Sequence, residues 1–242
     1  HYFQLQAREK APISVKKLIE TSGSSAAIVK SLVDKTIFEE YYIAQDRVTF
    51  DKDDDSQFTL SEAQQVAFES IQENFKSFDV NLLHGVTASG KTEIYIKLLE
   101  QYIKEGKQVL FLLPEIALTT QLVQRLTAYF GNEVAVFHSK YTNNERIEVW
   151  NQVLENSPKA KVVIGVRSAL FLPFSNLGCI IVDEEHEQTF KQHDPAPRYH
   201  ARDAAIVLAK QHGAKVVLGS ATPSLETYYN VQSNKYGLTE LK

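Results

Sequence analysis

Beyond residue 58 the chain moves between two hydrophobic rhythms. Short, nearly continuous apolar runs occur at 80–83, 109–113 ("VLFLL"), 134–137 ("VAVF"), 161–165 ("KVVIG"), 179–182 ("CIIV") and 215–219 ("KVVLG"). Runs of this length without polar alternation predict strands buried on both faces. Helical patterns lie between most of them, at 91–104, 115–129, 144–156 and 202–212. Strands separated by helices predict an α/β domain with a mostly parallel sheet covered on both sides. "FTLSEAQQVAFESIQENF", starting at Phe58, predicts one more helix ahead of the first strand, with Ser61 as its N-cap.

The first fifty residues follow another pattern. Val15, Leu18 and Ile19 share one helical face, and Ile28, Leu32 and Val33 share a second. "TSGSS" between them predicts a turn in which Ser24 or Ser25 caps the second helix. "YYIAQDRVTF" at 41–50 predicts a short strand. Helix, turn, helix and strand give the outline of a partial winged-helix domain over 1–50. A small helical subdomain that touches only protein fits the same outline equally well. The acidic run at 51–57 predicts a solvated linker, and 58–242 the main domain.

Composition narrows this picture only a little. With 242 residues and 43 % hydrophobic content, the chain can bury a substantial core. A net charge of −4 gives no general attraction for nucleic acid, so any DNA contact has to come from a local patch. Cys179 is the only cysteine, which excludes an internal disulfide and a multi-cysteine metal site, and suits a reducing cytoplasm. No apolar run reaches the length of a membrane span, and no signal peptide opens the sequence. Methionine is absent even from the first position, so the chain reads as a piece of a longer protein.

The candidate chemistry begins with Gly85-Val86-Thr87-Ala88-Ser89-Gly90-Lys91-Thr92, which fits the P-loop pattern. Its glycines let the backbone curl so that several N–H groups face one anion, and the following helix adds its positive end. Lys91 would reach the β- and γ-phosphates of ATP, and the Thr92 hydroxyl would ligate Mg²⁺. Glu93, next along the helix, belongs to the same predicted ATP site. A second carboxylate is needed at the metal, and "CIIVDEEHE" at 179–187 supplies it. Asp183 leaves a buried strand at the C-terminal end, where ligands bind in open α/β sheets. It would hold Mg²⁺, while Glu184 would orient and deprotonate the attacking water. A glycine-rich turn and a solvated acidic strand end are the plainer readings of each stretch alone.

Asp-Glu-x-His, ending at His186, resembles the second motif of the superfamily 2 helicases. Gln64, in "LSEAQ", sits where such enzymes use a glutamine to read adenine. "GSATPS" at 219–224 resembles their third motif, whose Ser220 and Thr222 would couple the γ-phosphate to the DNA track. In 187–200, Phe190, Lys191, Arg198 and Tyr199 interleave aromatic and basic side chains that could stack on bases and pair with phosphates. With "DEEH", Phe190-Lys191-Gln192 and "RYHARDAA", this stretch resembles the aromatic-rich loop of the bacterial replication-restart helicases. That family usually has tyrosine where this chain has Phe190.

"LLPEIALTTQ", "FHSKYTNNER" and "GVRSALFLPF" resemble further motifs of the family. They point to Thr119, Thr120, Gln121, Ser139, Arg146, Arg167 and Ser168 as strand-facing groups. The resemblance implies a RecA-like P-loop NTPase lobe, one of two in an ATP-driven 3′-to-5′ DNA translocase. It also implies single-stranded and forked DNA, primosome proteins and single-strand-binding protein as partners, and a bacterial, nucleoid-associated setting. Arginine fingers and a zinc-binding cysteine cluster would belong to a second lobe beyond this sequence. Rival readings are another superfamily 2 translocase (RecG-like, or a restriction-translocation subunit), a P-loop kinase or nucleotide switch, and a DNA-binding module with a decayed ATP site.

Overall fold

The computed structural model of the chain describes residues 15–35, 37–38, 59–114, 121–138 and 141–241. The predicted strand at 41–50, the acidic run at 51–57 and Thr119, Thr120 and Ser139 lie outside these residues. The chain divides into two compact units, His1–Gln45 and Asp46–Lys242.

In the first unit, α1 (Val15–Ser22) and α2 (Ala26–Asp34) form over the two predicted helical patterns. Ser25 takes the N-cap position of α2 with extended backbone, but its side chain makes no cap bond. Leu18 is buried as its periodicity predicts. In α2 the buried apolar residue is Val29, while Ile28 is exposed. The buried face is thus rotated from the predicted one.

The second unit runs α3 (Glu62–Asn74), β1 (Val80–Gly85), α4 (Lys91–Lys104), β2 (Gln108–Leu112), α5 (Gln121–Phe130), β3 (Val134–Phe137), α6 (Asn143–Leu154), β4 (Val162–Gly165), β5 (Leu177–Asp183), α7 (Ala201–His212), β6 (Lys215–Ser220), α8 (Leu225–Gln232) and β7 (Gly237–Leu241). Its seven strands pair in the order β3-β4-β2-β5-β6-β1-β7, every pair parallel. Successive residues of a strand point to opposite faces. Leu82 and Leu110 therefore join the core formed with Val149, Val153 and Ala205, while Leu83 and Phe111 join the one formed with Ile71, Ile94 and Leu98. This doubly covered parallel sheet is a RecA-like α/β lobe.

Two elements escape the apolar pattern. In β7, "GLTEL", the outward residue at 238 is leucine, and the inward Thr239 is buried because it bonds Ser70 Oγ at 3.0 Å and lies 3.3 Å from Asn81 Nδ2. A polar residue faces in and an apolar one faces out, so alternation gives no strand signal. In α8, Thr227 is the residue that packs inward, whereas Leu225 and Tyr229 face solvent.

Candidate active site

Strand order alone gathers the motifs that the sequence assigns to phosphate binding. β5, β6 and β1 are neighbours, so their C-terminal ends set Asp183, Ser220 and Gly85 side by side. The register pairs Asp183 with Gly219 and His84 with Ser220.

The loop after β1 has the shape its glycines predict. Ala88 (φ +62°) and Gly90 (φ +92°) take left-handed backbone, and α4 starts directly at Lys91. Val86, Thr87 and Ala88 form the exposed tip. Lys91 Nζ donates to Gly85 O at 2.7 Å and Val86 O at 3.3 Å, so the ammonium lies within the loop's curl. Ser89 Oγ is buried without a hydrogen-bond partner. Glu93 accepts from Arg125 at 2.7 Å and so ties the start of α4 to α5.

Gln64 closes the loop from the side. Its Oε1 accepts from Ser61 N at 2.8 Å, while Ser61 Oγ accepts from Gln64 N at 3.3 Å. This capping box matches the predicted N-cap. The Nε2 of Gln64 donates to Gly90 O at 3.3 Å, and a Cβ at position 90 would overlap that nitrogen. The glutamine assigned to adenine is thus the strut between α3 and the P-loop.

The residues fit the group they were assigned to. Curled N–H groups, a helix start and a buried ammonium suit a nucleotide phosphate, and Thr92 with Asp183 would supply oxygens for a divalent cation.

Asp183 is held by a buried tyrosine. Tyr95 Oη donates to Asp183 Oδ1 at 2.9 Å, and the fully buried Tyr95 ring packs edge-on against Phe111. Burial pushes the Asp183 carboxyl up to about 6, with the Tyr95 bond and the Lys91 charge pulling the other way and the Glu184 charge adding to the rise.

Glu184 has φ +51°, a left-handed conformation uncommon for a residue with a side chain. This local strain falls on the residue assigned to activate water. Two residues on, His186 meets both predicted coupling residues. Its Nδ1 lies 2.8 Å from Ser220 Oγ and its Nε2 lies 3.4 Å from Thr222 Oγ1. Thr222 N also donates to Ser220 Oγ at 3.0 Å.

The sequence pattern overlooks Glu185 between them. It is wholly buried and accepts from Arg202 Nη1 (2.9 Å), Ser224 N (2.7 Å), Ser224 Oγ (3.0 Å) and Thr227 Oγ1 (2.9 Å). Its own N–H donates to Gly219 O at 3.0 Å. One carboxylate thus binds the "DEEH" turn to α7 and to the start of α8. The signal was available: "RYHARD" and "TPSLET" each hold a partner, but their meeting needs the fold.

Among the described residues, the predicted DNA-facing ones gather on the segments that follow β4 and β5 and at the starts of α5 and α6. Arg167 donates to Thr189 O (3.4 Å) and Lys191 O (3.0 Å), so it props the aromatic-rich loop. Lys191 and His200 form an antiparallel bridge, and Gln192 Nε2 donates to Pro195 O and Pro197 O. Lys191 and Arg198 are exposed, and Tyr199 packs edge-on against Phe171, which is 61 % exposed.

Phe190 departs from its expected role. It is 1 % exposed and packs in the core shared by α6 and α7, because a short 3₁₀ turn at Gln188–Phe190 directs it inward. It anchors the loop instead of offering a stacking face. Arg146 is exposed on α6, with its guanidinium 5.6 Å from the Phe137 ring centre. Ser168 is partly buried, and Gln121 opens α5.

With this geometry, comparison with known proteins defines the class first. The sequence profile of the DEAD/DEAH box helicases matches residues 61–231, and the chain belongs to that family. Among curated relatives it is 41 % identical over 249 residues to the replication restart protein PriA of Bacillus subtilis (strain 168), an alignment spanning 100 % of this chain and 30 % of that protein. It is 46 % identical over 247 residues to PriA of Haemophilus influenzae, covering 96 % and 33 %. The chain therefore spans about a third of the relatives it matches. RecG bound to a three-way DNA junction shares the fold at TM-score 0.55 and 23 % identity, over 77 % of this chain and 24 % of its own. Mycobacterium smegmatis Lhr bound to ssDNA and AMP-PNP does so at 0.53 and 21 %, over 74 % and 25 %.

Proposed function

We propose that the chain is the ATP-binding lobe of an ATP-dependent, 3′-to-5′ DNA helicase that acts at stalled forks in replication restart and primosome assembly. The observation that carries this reading is the row Lys91, Asp183, Glu184, His186 and Ser220. These residues lie at or next to three adjacent strand ends, and that proximity supports roles in phosphate binding, metal binding and relay. ATP with Mg²⁺ would supply the phosphoryl group and the charge that drives its departure. Lys91 and the loop N–H groups would bind the phosphates, and Thr92 and Asp183 would hold the cation. Glu184 orients a water and takes its proton. His186, bridged to Ser220 and Thr222, passes the state of that site toward the loop at 187–200.

The DNA track in this reading comprises Gln121, Arg146, Arg167, Ser168, Lys191, Arg198 and Tyr199, and by sequence resemblance Thr119, Thr120 and Ser139. Single-stranded and forked DNA are its ligands. Primosome proteins and single-strand-binding protein are partners, and zinc belongs to a region outside this chain. The setting is the bacterial cytoplasm.

A fluorescent ATP analogue tests the reading. The chain should bind it weakly with Mg²⁺, and Lys91→Ala should remove that binding. Hydrolysis should stay near background, because the arginine that completes such sites supplies about 10³–10⁵ in rate and would come from a second lobe. Single-stranded DNA should change the analogue's affinity. Indifference to DNA would point instead to a nucleotide switch, and robust DNA-stimulated hydrolysis by this chain alone would overturn the two-lobe account.

A further inference from the structure

We infer that Tyr95 is a positioning residue for the magnesium site, fixing the Asp183 carboxylate from inside the protein, and that Gly219 lacks a side chain so that it can. This rests on the reading of Asp183 as a metal ligand and names what holds that ligand in place.

Tyr95 follows Thr92 by three positions on α4, so the two lie on one helical face. The proposed cation ligand Thr92 and the hydroxyl that grips Asp183 are therefore presented by the same turn. The bond occupies Oδ1 of Asp183 at 2.9 Å and fixes the rotation of the carboxylate about its own axis. A carboxylate at the end of a strand can otherwise rotate, and each orientation offers the cation a different edge. Groups that orient a metal ligand through its other oxygen commonly set metal affinity.

The space at Gly219 is what admits this bond. Gly219 is the register partner of Asp183 on β6. A Cβ built there would overlap the Tyr95 hydroxyl and lie 3.1 Å from Asp183 Oδ1. Gly219 does not have left-handed backbone, so the glycine is required for room and not for conformation. A buried tyrosine hydroxyl ordinarily needs a partner. Here it has been given the carboxylate of the second motif, from the helix of the first, beneath the strand that carries the third.

The experiment titrates MgCl₂ against this chain with a fluorescent ATP analogue. Analogue affinity is also measured separately in EDTA. Tyr95→Phe keeps the ring and its contact with Phe111 but removes the hydroxyl. It should raise the half-saturating Mg²⁺ concentration about tenfold, in the range such outer-sphere partners command, while affinity in EDTA stays at the wild-type value. Gly219→Ala should reproduce the shift by pushing the hydroxyl aside, and gives a second reading should the first variant fold poorly. The double variant should be no worse than either single one. A merely structural tyrosine would lower thermal stability without moving the Mg²⁺ midpoint, and that result overturns the inference. Asp183→Asn separates the two readings. If it shifts the midpoint and both other variants match wild type, the tyrosine is only packing. If it shifts nothing, Asp183 is not a ligand and both readings fall.

Discussion

The C-terminal edge of the sheet has two halves, and they are built differently. Along β5, β6 and β1, three of the titratable side chains are tied to a side chain or loop from another motif. Asp183 is tied to Tyr95, Glu185 to Arg202 and Ser224, and His186 to Ser220 and Thr222. Around the 187–200 loop, which leaves β5 and meets the turn after β4, the bonds run mainly to backbone carbonyls: Arg167 to Thr189 and Lys191, Gln192 to Pro195 and Pro197, Tyr199 to Arg167. The first half fixes where functional groups sit. The second fixes the shape of a strap and leaves Lys191, Arg198 and Phe171 at its surface. The proposed function would use the difference: chemistry on phosphate would need placed atoms, whereas a polymer sliding past would need a contour.

This contrast can be broken most sharply at Glu185. Glu185→Ala leaves Arg202 buried with only Asp203 and Ser224 to compensate it. It should cost about 3–5 kcal/mol in urea unfolding. A loss below about 1 kcal/mol would mean that the network does not bind the motifs together.

Next comes the pair Phe190 and Phe171. Phe190→Ala should cost about 3 kcal/mol as a core cavity, while Phe171→Ala should stay within about 0.5 kcal/mol. Equal, small losses would return Phe190 to the surface and to base stacking.

The last effect is one that pH switches on and off. Asp183 sits at about 6 in the folded chain against an ordinary 3.8. Between those values the folded state holds more protons than the unfolded state. Its contribution is therefore present below about pH 4 and lost as pH rises through 6. Asp183→Asn should be more stable to urea than wild type above pH 6, by up to about 3 kcal/mol, and converge with it toward pH 4. A difference independent of pH would place the burial cost elsewhere.

Six strands were legible because each is a nearly continuous apolar run, as a parallel sheet buried on both faces requires. β7 was not, because Thr239 is buried by hydrogen bonds to Ser70 and Asn81 that no local pattern announces. Lys91, Asp183, His186 and Ser220 were legible as motifs with fixed spacing. Tyr95, Glu185 and Arg202 were not, since a tyrosine on a helix or an arginine near a carboxylate has no meaning until strand order brings the pieces together. Phe190 was misjudged because an aromatic residue in a polar stretch reads as exposed, whereas one turn of 3₁₀ helix is enough to turn it inward.

The bridge between Lys191 and His200, reinforced by Gln192 N donating to Tyr199 O at 2.9 Å, closes the strap into a loop with a fixed neck. Below the neck are Phe190 and the buried Arg202; above it, 193–198 are exposed. Length above the neck is therefore independent of the frame below it. Insertions there are the ones the architecture tolerates. A reporter dye carried at His193 would sample whatever passes over the protein without disturbing the row of strand ends beneath.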